Sequence, residues 1–128
     1  RGRARGASPW LSGIRELELP IRHGEGRLMI GAAEDATTRA KIGEEMKQTG
    51  MFCLQYRQNL TGSEEDLAGL CDRTGRIFGL MPHPEAFVRA TQHPMWTLLR
   101  RVGAEDEQAE ASGARIFENA YQEATNAR

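Results

Sequence analysis

The chain has 128 residues, 39% hydrophobic and 27% charged, a length suited to one domain and a balance that excludes disorder throughout. Lys and Arg total 17 against 18 Asp and Glu, so no global field attracts nucleic acid or an anionic membrane, and neither is expected as a partner. The longest useful apolar stretch, Ile77 to Met81, is far below the ~20 residues a bilayer needs; with no apolar segment after the N-terminal arginines and too few cysteines for a disulfide scaffold, a cytoplasmic protein is expected.

Residues 1–7 alternate arginine with glycine and alanine and are expected to form a flexible, solvated arm of a single domain spanning 1–128. Ser8-Pro9-Trp10-Leu11 sets a hydroxyl ahead of a proline at the first helical position, predicting a short helical turn that Gly13 ends. From Leu17 to Ile30 the chain reads as a strand, with Leu17, Leu19 and Ile21 alternating against Glu18, Pro20 and Arg22, while Gly24 and Gly26 imply a bulge or a close backbone approach. Asp35 to Gly50 predicts an amphipathic helix with Ala36, Ala40, Gly43 and Met46 or Lys47 near one face and Gly50 closing its end.

Met51 to Tyr56 reads as a strand followed by a turn at Asn59 to Ser63. Leu67–Cys71 and Arg76–Met81 flank Asp72-Arg73-Thr74-Gly75 and are expected to pair as a hairpin, the second arm covered on both faces because it is apolar throughout. Pro94 opens a helix through Met95, Trp96, Leu98 and Leu99, and residues 104–110 read as a loop. Phe117, Ala120, Tyr121 and Ala124 stand at i, i+3, i+4 and i+7 and predict a closing helix packed by that stripe.

The segment richest in chemistry is Gly79-Leu80-Met81-Pro82-His83-Pro84-Glu85. A residue before proline is pushed to extended geometry, so His83 should lie just past the sheet with Glu85 on the same side, a base with its orienter. That pairing suits activation of a nucleophile, although a histidine fixed by turn prolines satisfies the same spacing. His23 and Glu25 repeat it in His23-Gly24-Glu25-Gly26-Arg27 as a rival dyad, while His93 is most simply a helix-start residue. His23, Glu25, His83 and Glu85 together lack the spacing of a metal site, and no metal is expected. Cys53 lies mid-strand and Cys71 ends a hairpin arm; neither sits on an exposed strand-to-helix elbow, so both are expected to be buried structural thiols.

Taken together, Ser8 to Leu11, Leu19 to Arg27, Gln55-Tyr56, Asn59 to Ser63, Leu67 to Asp72, Gly75 to Glu85 and the Ile116 to Ala120 segment resemble the glutaminase component of phosphoribosylformylglycinamidine synthase, a class I glutamine amidotransferase of purine biosynthesis. The resemblance implies an α/β fold, the C-terminal portion of a three-layer, flavodoxin-like domain with a β-hairpin and a closing helix. It implies a Cys-His-Glu triad acting on glutamine, with His83 and Glu85 as catalytic histidine and glutamate and with His23 and Glu25 lining the substrate pocket. Ammonia would pass to a synthetase partner that uses ATP and magnesium, with no cofactor in this domain. Such domains run roughly twice this length, with the cysteine elbow in the first half. This chain is therefore expected to lack the nucleophile, to be inactive alone and to need the missing N-terminal half as a partner. Leu60 and Thr61 stand where the family tends to have Pro and Asn. The competing expectation is a non-catalytic module acting in subunit association.

Overall fold

Phe52-Cys53-Leu54-Gln55-Tyr56 and Leu67-Ala68-Gly69-Leu70-Cys71 carry the apolar and aromatic residues that favour a half-buried pleated surface. In the computed structural model they pair antiparallel inside a five-stranded sheet. The structure describes residues 8–32, 34–103 and 113–126, with the backbone of 2–4. In chain order the strands are β1 (Gly2–Ala4), β2 (Glu16–Leu17), β3 (Phe52–Tyr56), β4 (Leu67–Cys71) and β5 (Phe78–Leu80). They lie in the order β2-β1-β3-β4-β5, and every neighbouring pair is antiparallel. The result is a mixed fold, a small antiparallel sheet with helices.

Three expectations about strands are corrected. Gly2–Ala4, placed in the flexible arm, is a strand between β2 and β3, with Gly2 opposite both Leu17 and Tyr56. The long strand expected from Leu17 to Ile30 is regular only at Glu16–Leu17; Pro20 has no N–H to give a ladder and the chain bends at Gly24. The hairpin forms as expected, but β5 is an edge strand rather than one covered on both faces, with Gly79 open and Ile77 74% exposed. Gly69 makes the hairpin's close approach possible, since a Cβ there would meet the Gly79 carbonyl oxygen at 3.0 Å.

Helix α1 (Ala36–Gln48) begins where the sequence predicts: the Asp35 carboxylate accepts the N–H groups of Thr37 and Thr38 at 2.9 and 3.1 Å. It ends at Gly50, whose φ of +75° is the left-handed geometry that glycine adopts freely. Its packed face is Arg39, Ile42, Gly43 and Met46; Ala36 and Ala40, expected on that face, are exposed. Ile42 and Met46 cover a cluster of Ile30, Phe52 and Leu67. A second cluster gathers Leu11, Ile14, Leu17, Leu54, Ala68 and Ile116 around the two cysteines.

Helix α2 (Trp96–Arg101) follows Pro94, and helix α3 (Ala114–Asn126) closes the described chain. The packing stripe of α3 differs from the one expected. Ile116 is buried, whereas Phe117 and Tyr121 are 48% and 72% exposed. Asn119 fixes that rotation by donating from Nδ2 to the carbonyls of Trp10 and Ser12, both at 2.9 Å. The turn Pro9–Leu11 thereby joins α3 to the hairpin, because Ser8 Oγ and Trp10 Nε1 donate to the Gly75 and Arg76 carbonyls at 2.8 Å. The loop expected at 104–110 lies outside the described residues. No helix among the described residues is long and apolar enough to cross a membrane.

Candidate active site

Where β5 ends, Met81 N–H still bonds the sheet, donating to the Ala68 carbonyl at 2.8 Å. Pro82 then turns the chain off the ladder, and the His83 N–H donates to the Pro20 carbonyl at 3.0 Å. His83 is extended, with φ −105° and ψ 92°, and Pro84–Ala86 form a 3₁₀ turn behind it. The two side chains meet across the start of that turn rather than along an extended strand: His83 Nδ1 is 2.6 Å from Glu85 Oε1. The side chains are 39% and 58% exposed, and His83 Nε2 has no partner among the described residues. The His83 hydrogen bond, followed by smaller contributions that include Arg22, holds the Glu85 carboxyl below its ordinary range.

The other histidine motif does not form a dyad. Among the described residues no hydrogen bond joins His23 to Glu25, and Glu25 is exposed. Instead the His23 ring packs at Gly26 and Met81. A Cβ on Gly26 would fall 2.4 Å from His23 Nδ1 and 2.5 Å from Met81 Cε, so a larger residue there would have to displace both side chains. At Gly24, by contrast, there is open space. His23 Nε2 is buried without a partner among the described residues. The structure therefore places the His23 ring and the end of the Met81 side chain together beside Gly26, and leaves Glu25 in solvent.

Both cysteines are buried, as expected. Burial, with Cys71 beside it, pushes the Cys53 thiol up to about 12, and its sulfur faces the Gly69 carbonyl at 3.5 Å. Cys71 faces the carbonyls of Gly50 and Met51. A nucleophilic cysteine needs access to its substrate, and both of these sulfurs are buried in the core. No group of three or more His, Cys, Asp or Glu able to hold a metal ion occurs among the described residues.

His93 stands at the start of α2 as expected, its carbonyl accepting the Trp96 N–H at 3.0 Å; the sequence did not show that it is also 8% exposed, with Nε2 3.1 Å from Glu18 Oε1 and its ring 5.6 Å from that of Phe87 between centroids. Nδ1 accepts the Met95 N–H at 3.1 Å, which in the neutral ring leaves Nε2 as the nitrogen that donates to Glu18. The partner stands 75 positions away, and no local pattern announces it.

The loop from Asn59 to Ser63 is closed by its own side chains. Asn59 Oδ1 accepts from the N–H groups of Thr61 and Gly62 at 3.2 and 2.9 Å, and Thr61 Oγ1 accepts the Ser63 N–H at 3.3 Å. The threonine hydroxyl thus takes a place in the turn network.

Residues 4–122 match the CobB/CobQ-like glutamine amidotransferase domain, and the chain belongs to that family. Within it, the chain is similar to the phosphoribosylformylglycinamidine synthase subunit PurQ. It is 42% identical to that of Dehalococcoides mccartyi over 108 residues, covering 84% of this chain and 40% of the relative. Identity is 32% over 122 residues to the Methanococcus maripaludis (strain C5) subunit, with 86% and 44% covered. To the Corynebacterium glutamicum subunit it is 40% over 80 residues, with 62% and 32% covered. The chain thus spans less than half the length of these relatives.

Proposed function

We propose that these residues form the acid–base part of a glutaminase that releases ammonia from glutamine for phosphoribosylformylglycinamidine synthase, which converts formylglycinamide ribonucleotide to its amidine. The thiol comes from outside these 128 residues, since Cys53 and Cys71 are buried. His83 Nε2 takes the proton of that thiol as sulfur attacks the glutamine side-chain amide. The same nitrogen gives the proton to the leaving nitrogen, so that ammonia departs and a thioester remains. Water then adds to the thioester with His83 again as base, releasing glutamate and returning the proton to sulfur. Glu85 holds the His83 Nδ1–H and stabilises the imidazolium that forms twice in the cycle. His23 and Glu25 belong to the lining of the glutamine pocket, and a synthetase subunit or domain receives the ammonia. The 128-residue polypeptide alone hydrolyses glutamine at the background rate.

The observation that carries this reading is the 2.6 Å His83–Glu85 contact, open to solvent, inside the family match. The test is His83→Ala in the full-length protein with its synthetase, following ammonia release. A fall in kcat of about 10²- to 10⁴-fold is expected for removal of a general acid–base, with a smaller fall for Glu85→Gln. Retention of normal turnover by His83→Ala overturns the proposal and leaves the non-catalytic association module in its place.

A further inference from the structure

Residues 20–30 run past the sheet without joining it, and at their far end backbone groups are met by side chains instead. Leu28 N–H donates to Ser63 Oγ at 3.0 Å, and the Leu28 carbonyl accepts the Glu64 N–H at 3.0 Å. Ile30 N–H donates to the Glu64 carboxylate at 2.9 Å, and the Ile30 carbonyl accepts from Arg39 Nε at 3.1 Å. Arg39 and Glu64 are ion-paired with each other. Side chains thus imitate a strand ladder, satisfying both polar groups of Ile30 and the N–H of Leu28.

The holding residues are themselves held. Ser63 is buried, its hydroxyl lies 2.8 Å from that of Thr61, and its carbonyl accepts from Asn59 Nδ2 at 2.7 Å. Directly after Glu64 the backbone enters the left-handed region at two non-glycine residues, Glu65 with φ 53° and Asp66 with φ 56°. Strain of that kind persists where surrounding contacts over-determine it. At its near end the same strap accepts the His83 N–H on the Pro20 carbonyl, and at Gly26 it lies beside the end of the Met81 side chain. The fastening at Leu28 and Ile30 is therefore one end of a short, irregular segment whose other end bears on the candidate base.

We propose that Ser63 and Glu64 are positioning residues for His83, acting through the strap 20–30; the catalytic consequence rests on the glutaminase reading above. An unpaired segment with few regular hydrogen bonds opens locally at low cost, so removing a fastening frees the strap before it frees the sheet. Reacting groups must be held to within a fraction of an ångström, so a freed strap lowers turnover without unfolding the protein.

Two neighbouring amides provide the test by hydrogen exchange in the full-length protein. Met81 N–H reports on the sheet and His83 N–H reports on the strap. Ser63→Ala, or Glu64→Ala as a second variant, is expected to speed exchange at His83 about tenfold while Met81 changes less than about twofold, the loss of one net hydrogen bond. Glu64→Gln keeps an oxygen for the Ile30 N–H and is expected to fall between Glu64→Ala and the parent. Equal acceleration at both amides, or none at His83, overturns the proposal. The kcat/KM for glutamine is expected to fall about tenfold in parallel with the His83 exchange. A kcat/KM unmoved by accelerated His83 exchange overturns the positioning role. If His83→Ala is also without effect on turnover, it is the glutaminase reading that fails, while the exchange comparison still decides whether the strap holds His83.

Discussion

His83 and Glu85 were legible because the signal is local: two prolines restrict the backbone around a pair of side chains two residues apart. The pairing adds stability with a definite sign. The Glu85 carboxyl is depressed by its hydrogen bond with His83, so the contribution is present above the ordinary carboxylate range and is lost as pH falls through the depressed folded value. Both side chains are open to water, and the effect belongs to orientation more than to stability. Cys53 shows the opposite environment. With its thiol pushed up to about 12 by burial and by Cys71, far less thiolate forms at pH 8 than on an ordinary exposed thiol. Iodoacetamide at pH 8 is therefore expected to leave Cys53 unmodified in the native protein over a time that labels it fully in urea, read by mass spectrometry of the peptide. Rapid native labelling of Cys53 would contradict its burial. His93 and Glu18 also form a histidine–carboxylate contact, at 3.1 Å, yet they stand 75 positions apart, and only the folded structure joins them.

Among the elements, α1 was readable at both ends because its cap and its terminating glycine are single residues with a strong backbone preference. Its packed face was less readable, and that of α3 less still, because a 3.6-residue period accommodates overlapping stripes. Apolar count alone favours Phe117, Ala120, Tyr121 and Ala124; the fold selects the neighbouring face with Ile116, since Asn119 must reach the Trp10 and Ser12 carbonyls. Urea unfolding distinguishes the two faces. Ile116→Ala is expected to cost about 2–5 kcal/mol, as for a large buried aliphatic cut to alanine. Phe117→Ser, at a half-exposed position, is expected to stay near the roughly 0.5 kcal/mol typical of surface changes. A reversed ranking would restore the Phe117 stripe as the packed one. The strap at 20–30 was misread as strand for a related reason: alternation of Leu17, Leu19 and Ile21 is present, but Pro20 and the glycines withhold the ladder that alternation needs.

For the whole molecule, the hairpin was predictable because its two arms, β4 and β5, are separated by only six residues, whereas the order of the sheet was not. β1 lies between β2 and β3 through pairings that join Gly2 to Leu17 and to Tyr56, and neither carries a turn signal. The same distance hides the tie between α3 and the candidate site. Gly113, which immediately precedes α3, donates its N–H to the Phe87 carbonyl at 2.8 Å and lies against the backbone of Pro84, the residue between His83 and Glu85. A Cβ on residue 113 would fall 2.2 Å from the Pro84 carbonyl oxygen and 2.6 Å from its carbonyl carbon. Those atoms belong to backbone and cannot swing aside as a flexible side chain would, so the 3₁₀ turn, the start of α3 or both must move. Gly113→Ala is accordingly expected to cost about 1–3 kcal/mol, as overpacking does. Because the displaced turn carries Glu85, the glutaminase reading proposed above also expects Gly113→Ala to lower ammonia release in the full-length protein by up to about 10²-fold, the cost of an ångström of misplacement. Thermal unfolding and ammonia release measured on one preparation separate the two effects. A Gly113→Ala protein as stable and as active as its parent would mean that α3 does not bear on the His83–Glu85 turn.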